Sequence, residues 1–119
     1  SLKVFADPIL QKVFSTFIDN SIRHGKTVTK GTFHSREVNG DLVLFYRDDG
    51  IGIDPAKKEM IFDHGYGEHT GLGLYLAREI VSAGGFTIRE TGTPGAGVQF
   101  EIVIPHGLYK DSISVLPDT

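Results

Sequence analysis

The sequence predicts a single mixed α/β domain, on three observations. Two segments carry apolar residues at three- and four-residue spacing, as helices with one buried face do. Asn39-Gly40, set between a Thr- and Val-rich run and an apolar run, is a two-residue hairpin signal. Val98, Phe100, Ile102 and Ile104 alternate with Gln99, Glu101 and Val103, as a strand with one face in the core does.

Taken in order, Asp7-Pro8 opens the first helix with an acceptor at the cap and proline at the first helical position. Ile9, Leu10, Val13, Phe14, Phe17, Ile18 and Ile22 give it a core face, and Gly25 closes it. Thr27 to Glu37 reads as a half-buried strand. The return strand, Leu42 to Tyr46, delivers Asp48 to the edge of a glycine-rich turn, Gly50-Ile51-Gly52-Ile53. A carboxylate fixed there can accept a hydrogen bond from an adenine amino group, although Asp and Gly are also common in plain surface loops. Asp54-Pro55 opens a short helix to about Met60.

The segment Asp63-His64-Gly65-Tyr66-Gly67-Glu68-His69-Thr70 is polar and glycine-rich, with the composition of a short mobile lid. A largely buried helix then runs from the turn Thr70-Gly71-Leu72-Gly73-Leu74 to Gly84-Gly85. Gly71 and Gly73 leave the backbone bare, so a phosphate chain can approach main-chain N–H groups at the positive end of that helix. Phe86 to Glu90, the turn Gly92-Thr93-Pro94-Gly95 and the last strand complete the domain over residues 1–105. Residues 106–119 are expected to form a loose tail.

Composition excludes several classes. With 119 residues the chain suits one core. Twelve Lys and Arg against fifteen Asp and Glu leave a net charge of −3, with no long basic cluster, which argues against nucleic-acid binding. No apolar run reaches spanning length and no signal peptide is visible. The expectation is therefore a cytoplasmic domain without membrane contact. The absence of cysteine removes disulfides and thiolate zinc sites. A first residue of serine is compatible with a piece of a longer parent.

Five elements stand in one order: Asp19-Asn20 on a helix, Asp48-Asp49-Gly50-Ile51-Gly52-Ile53, Ile61-Phe62-Asp63, Thr70-Gly71-Leu72-Gly73-Leu74, and Gly95-Ala96-Gly97-Val98-Gln99-Phe100. The series resembles the ATP-binding catalytic domain of sensor histidine kinases, within the superfamily that includes gyrase and MutL, and specifically a short-lid subset. The resemblance covers Asp7 to Pro105. It implies a two-layer sandwich, with a mixed, mostly antiparallel sheet, helices on one face, and ATP between the helices and the lid.

It implies further that Asn20 holds Mg²⁺ and that Arg23 neutralises phosphate charge, giving these two the catalytic roles. His24 occupies a position near the base. Asp48 takes the adenine amino group, with Gly50, Gly52 and Ile53 shaping its pocket, and Phe62 pins one end of the lid. The turn Thr70, Gly71, Leu72, Gly73 and Leu74 cradles the phosphates, and His69 or Arg23 supplies part of the positive charge that the lid lacks at Glu68.

Three positions depart from the family pattern. Thr16 stands where a second Asn is common, Glu68 where a basic lid residue would help, and Val98 where threonine is frequent. The implied activity is transfer of the γ-phosphoryl group of Mg-ATP to a histidine on a separate helical phosphoacceptor domain, with a response regulator as indirect partner. The alternatives are an ATPase-type conformational switch and a degenerate nucleotide-binding regulatory module. Hydrolysis is disfavoured because many such ATPases place a glutamate at the position of Thr16, and an unactivated hydroxyl is a poor base. None of His24, His34, His64, His69 and His106 is followed by an acidic residue, so the acceptor is expected to lie elsewhere.

Overall fold

A computed structural model describes residues 7–64 and 73–108. The first helix, α1, spans Pro8–His24, and the carboxylate of Asp7 accepts from the Ile9 and Leu10 N–H groups at its start. Strands β1 (Gly31–Val38) and β2 (Asp41–Asp48) form the hairpin predicted at Asn39-Gly40, both of which have positive φ, at 53° and 89°. Helix α2 spans Gly73–Ala83, followed by β3 (Thr87–Glu90) and β4 (Gln99–Ile104). The sheet order is β1-β2-β4-β3, and each pairing is antiparallel.

One face of the sheet carries the core. Leu42, Leu44 and Tyr46 of β2 and Phe100, Ile102 and Ile104 of β4 pack with Leu10, Val13, Phe14 and Phe17 of α1 and Ala77 and Val81 of α2. The Phe17 ring stacks on Phe100 with centroids 4.4 Å apart, which fixes α1 across the two central strands. On the opposite face His34 stacks on Phe45, and Arg47 donates to Gln99. The expected two-layer α/β arrangement is therefore observed, with the helices on one side.

Four local expectations are corrected. Strand β1 begins at Gly31 rather than Thr27, because the Asp49 carboxylate captures the N–H groups of Thr29 and Lys30, which are therefore not given to a strand ladder. The short helix after Asp54 is two 3₁₀ turns, Pro55–Lys57 and Met60–Phe62. Ile9, Ile18 and Ile22 are exposed, at 61%, 43% and 75%, because α1 buries only the narrower stripe Leu10, Val13, Phe14, Phe17 and Ser21. Helix α2 is less buried than predicted, with Leu76 49% exposed on its outer side.

The Thr29–Asp49 contact also defines a pH response. Hydrogen bonds from the Thr29 hydroxyl and from the Thr29 and Lys30 N–H groups hold the Asp49 carboxyl below its ordinary 3.8, at about 2. A depressed folded-state value contributes stability above the unfolded value, and that contribution is lost as pH falls from near 4 towards 2. Thermal melts across this window should show a shallower acid decline for Asp49→Asn than for the parent chain. Parallel declines would remove Asp49 as the group responsible.

Candidate functional site

The site is built around Asp48, the last residue of β2 and only 3% exposed. A buried carboxylate demands donors, and Asp48 has three. Its Oδ1 accepts from the N–H of Gly50 at 3.0 Å and from the N–H of Val98 at 2.9 Å. Its Oδ2 accepts from the hydroxyl of Ser21 at 2.6 Å. The Ser21 hydroxyl lies 2.7 Å from the phenol oxygen of Tyr46. Burial first, opposed by the Ser21 hydrogen bond and reinforced by the Asp48 and Asp49 carboxylates, raises the Tyr46 pKa and keeps it a phenol. Tyr46 must therefore donate to Ser21, leaving the Ser21 proton for Asp48.

The glycine turn is clamped on both sides. A Cβ on Gly50 would stand 2.7 Å from the Gly25 carbonyl oxygen, and the Ile51 N–H donates to that same oxygen at 3.3 Å. Gly52, at φ 76°, lies under the Thr93 and Gly97 carbonyls. The Gly95 N–H donates back to Ile51 at 2.7 Å. Behind the hairpin, buried Glu90 accepts from the Lys58 ammonium and from the N–H groups of Gly92 and Gln99, both at 3.0 Å. The pair joins the 3₁₀ turn at Pro55–Lys57 to the loop that ends at Val98. Ile53 is half-buried against the core.

Asn20, Arg23 and His24 share the C-terminal part of α1 with Ser21. Asn20 is half-buried, whereas Arg23 and His24 are exposed. Arg23 is held by Asp19 through a 2.7 Å ion pair one helical turn back. Thr16, one turn before Asn20, spends its hydroxyl proton on the Lys12 carbonyl at 3.1 Å. A Cβ on Gly73 would meet the Thr16 methyl group at 3.4 Å, so the start of α2 approaches the same edge of α1 that carries Asn20. Leu74 is half-buried beside the core.

At the entrance to the predicted lid, Phe62 is 1% exposed, edge-on to Phe100 and beneath the Arg78 guanidinium. Asp63 is exposed, and His64 meets the Tyr75 ring edge-on at 4.9 Å. The remaining lid residues Gly65, Tyr66, Gly67 and Glu68, and the phosphate-turn residues His69, Thr70, Gly71 and Leu72, lie outside the described residues.

Sequence reasoning missed Ser21 and Tyr46. A polar residue at the fifth position of an otherwise apolar buried stripe was the available signal for Ser21. It also missed that position 98 reaches Asp48 through its backbone, so that valine there keeps a polar contact with the carboxylate.

Solved structures of similar fold include histidine kinases. Full-length ShkA in complex with AMPPNP superposes with a TM-score of 0.74 at 21% identity, over 82% of this chain and 21% of that one. The chain belongs to the family of histidine kinase-, DNA gyrase B- and HSP90-like ATPases, whose sequence model matches residues 6–108. Among its relatives, a probable C4-dicarboxylate sensor kinase of Bacillus subtilis is 35% identical over 68 residues, 54% of this chain and 13% of that protein. The sensor protein SrrB of Staphylococcus aureus is 28% identical over 105 residues, 81% of this chain and 18% of that protein. The chain thus spans less than a fifth of the length of these relatives. Among the described residues no helix is long and apolar enough to cross a membrane.

Proposed function

We propose that this chain is the catalytic domain of a sensor histidine kinase. It binds Mg-ATP and passes the γ-phosphoryl group to a histidine on a separate helical domain of its parent protein, from which a response regulator receives it. The observation that carries the reading is the buried Asp48 carboxylate, held as an acceptor at a glycine turn in a chain of this family. Sensor kinases among the relatives, and AMPPNP in a neighbour of the same fold, support it. Such a domain works where ATP is supplied, which favours the cytoplasm.

The division of labour follows from the residues. Asp48 receives the adenine amino group, and the glycine turn lets the ring lie close to the backbone. Asn20 supplies a side-chain oxygen on the edge of α1 that Gly73 approaches. Among the described residues no group of three or more His, Asp or Glu side chains could cage a cation. A single amide oxygen suits Mg²⁺, which keeps most of its waters and shares phosphate oxygens. The bound ion would neutralise developing charge on the phosphates. Arg23 can swing to the phosphates only by giving up Asp19, an exposed pair that costs little to break.

Hydrolysis is the weaker reading. The Thr16 hydroxyl donates to the Lys12 carbonyl and Asp19 accepts from Arg23, so neither is poised to take a proton from water. Self-labelling is disfavoured as well. His24 ends α1, His34 lies on β1, His64 sits at the lid entrance and His106 in a terminal turn.

The test is nucleotide titration with and without Mg²⁺ for the parent chain and Asn20→Ala, followed by addition of a helical acceptor domain. Asn20→Ala should weaken Mg-ATP binding more than metal-free binding, and the parent chain should label the acceptor histidine. Equal losses with and without Mg²⁺ would sink the metal role. Absence of transfer to any acceptor would sink the kinase reading.

A further inference from the structure

The Ser21–Tyr46 pair is the part of the site that the proposed chemistry does not use directly. Both hydroxyls are buried, and Ser21 sits one residue after Asn20 on the stripe of α1 that faces the sheet. The relay has a fixed sense. Tyr46 donates to Ser21, Ser21 donates to Asp48 Oδ2, and the two backbone N–H groups of Gly50 and Val98 occupy Oδ1. Every group on Asp48 is thus a donor, so the carboxylate can offer a ligand only acceptor lone pairs. Because Oδ1 already serves two N–H groups, Oδ2 is the oxygen with capacity left, and its direction is set by Ser21.

Position 31 belongs to the same arrangement. Gly31 pairs with Asp48 across the β1–β2 ladder, and a Cβ there would stand 2.4 Å from the Tyr46 hydroxyl. The backbone thereby makes room for the phenol that starts the relay.

We infer that Ser21 and Tyr46 are positioning residues that aim Asp48 Oδ2 and so set the preference of this site for a 6-amino purine over a 6-oxo purine. The inference rests on the nucleotide reading above and goes beyond it, because that reading requires only Asp48. Adenine brings an amino donor to the waiting lone pair. Hypoxanthine and guanine bring a carbonyl oxygen, and two acceptors facing each other in a buried site leave both unpaired. Without the Ser21 hydroxyl, Asp48 Oδ2 loses its one fixed donor and is held only through the two N–H groups on Oδ1, so its lone pairs are less sharply aimed and water can take the vacated one. Adenine contacts then weaken, while the phosphate contacts do not change.

The experiment is calorimetric titration of the 119-residue chain with ATP and with inosine triphosphate, which carries an oxygen in place of the 6-amino group. Ser21→Ala should lose about five- to twentyfold in ATP affinity, the scale of one charge-assisted hydrogen bond lost at one remove. Affinity for inosine triphosphate should change less than about twofold, since it gains nothing from the aimed oxygen. Tyr46→Phe should lower the ATP to inosine triphosphate ratio by about two- to fivefold and add nothing in the Ser21→Ala background, because both act through one relay.

A merely structural role would weaken both nucleotides equally. Equal losses in Ser21→Ala, or an unchanged ratio in Tyr46→Phe, would overturn the inference while leaving the nucleotide reading in place. If Ser21→Ala fails to fold, Tyr46→Phe carries the test alone. A parent chain that binds inosine triphosphate as well as ATP would overturn the inference and leave nucleotide binding in place, whereas one that binds neither would overturn the nucleotide reading and the inference with it.

Discussion

Gly97→Ala unfolds most easily of all single glycine replacements in the β3–β4 hairpin. Gly97 has φ 122°, and a Cβ added there would stand 2.0 Å from the Asp48 carbonyl oxygen and 3.0 Å from Asp48 Oδ1. Backbone cannot swing aside as a flexible side chain can. Accommodating the methyl group means moving β2 and the hairpin apart, which breaks the Asp48–Val98 hydrogen bonds in both directions. Conformational strain and overpacking together should cost roughly 3–5 kcal/mol. For a domain of this size that lowers the melting temperature by at least about 12 °C.

Gly95→Ala provides the control. It shares a positive φ, 86°, yet a Cβ there meets nothing within 4 Å. Its loss should stay near 1 kcal/mol, the conformational part alone. Thermal melts of the two variants separate strain from collision. Similar melting temperatures would mean that the close approach of Gly97 to Asp48 does not hold in solution.

Asp48→Asn should produce the largest loss of nucleotide affinity with the least damage to the fold. An Asn oxygen can keep the Gly50 and Val98 N–H groups, and its amide nitrogen can donate to Ser21. Ser21 would then turn its proton to Tyr46, and the buried Tyr46 proton would lose its acceptor, at about 1–3 kcal/mol of stability. The consequence for the ligand is greater. The group facing the base changes from acceptor to donor, so ATP and ADP should both weaken by about ten- to a hundredfold, the range of one charge-assisted bond. Inosine triphosphate should not weaken, since its 6-oxygen can accept from the new amide donor. Calorimetry that finds ATP affinity within twofold of the parent chain would remove Asp48 from base recognition.

The sequence was most legible where one local rule acts alone. Asp7-Pro8 and Asn39-Gly40 predict a helix start and a hairpin because capping and positive φ depend only on neighbouring residues. Asp48 and its glycines stood out in the sequence because a strand delivers a carboxylate to a glycine turn, and the carboxylate is buried there. The misses involve contacts between residues distant in the chain. Thr27 to Lys30 has strand composition, but a carboxylate some twenty residues away takes the N–H groups of Thr29 and Lys30, and the Thr27 N–H goes to the Gly25 carbonyl. Ile9, Ile18 and Ile22 fit the helical period, yet the width of the stripe that α1 buries is set by how it crosses the sheet. Ser21 and Tyr46 are 25 residues apart, and nothing in the spacing announces that their hydroxyls meet.

The strand order carries a kinetic consequence. Strands β1 and β2 form one local hairpin and β3 and β4 another, and both can zip early because their loops are short. Strand β2 meets β4 only across the whole middle of the chain, with Leu42 opposite Ile104 and Arg47 opposite Gln99. That late seam is also where the Val98 N–H reaches Asp48. A chain with both hairpins formed but not yet joined would hold neither the core face of Phe100 nor the complete carboxylate pocket. The full set of donors around Asp48 and closure of the sheet therefore arrive in one step, so a partly folded chain emerging from synthesis would lack the pocket that the proposed base recognition needs.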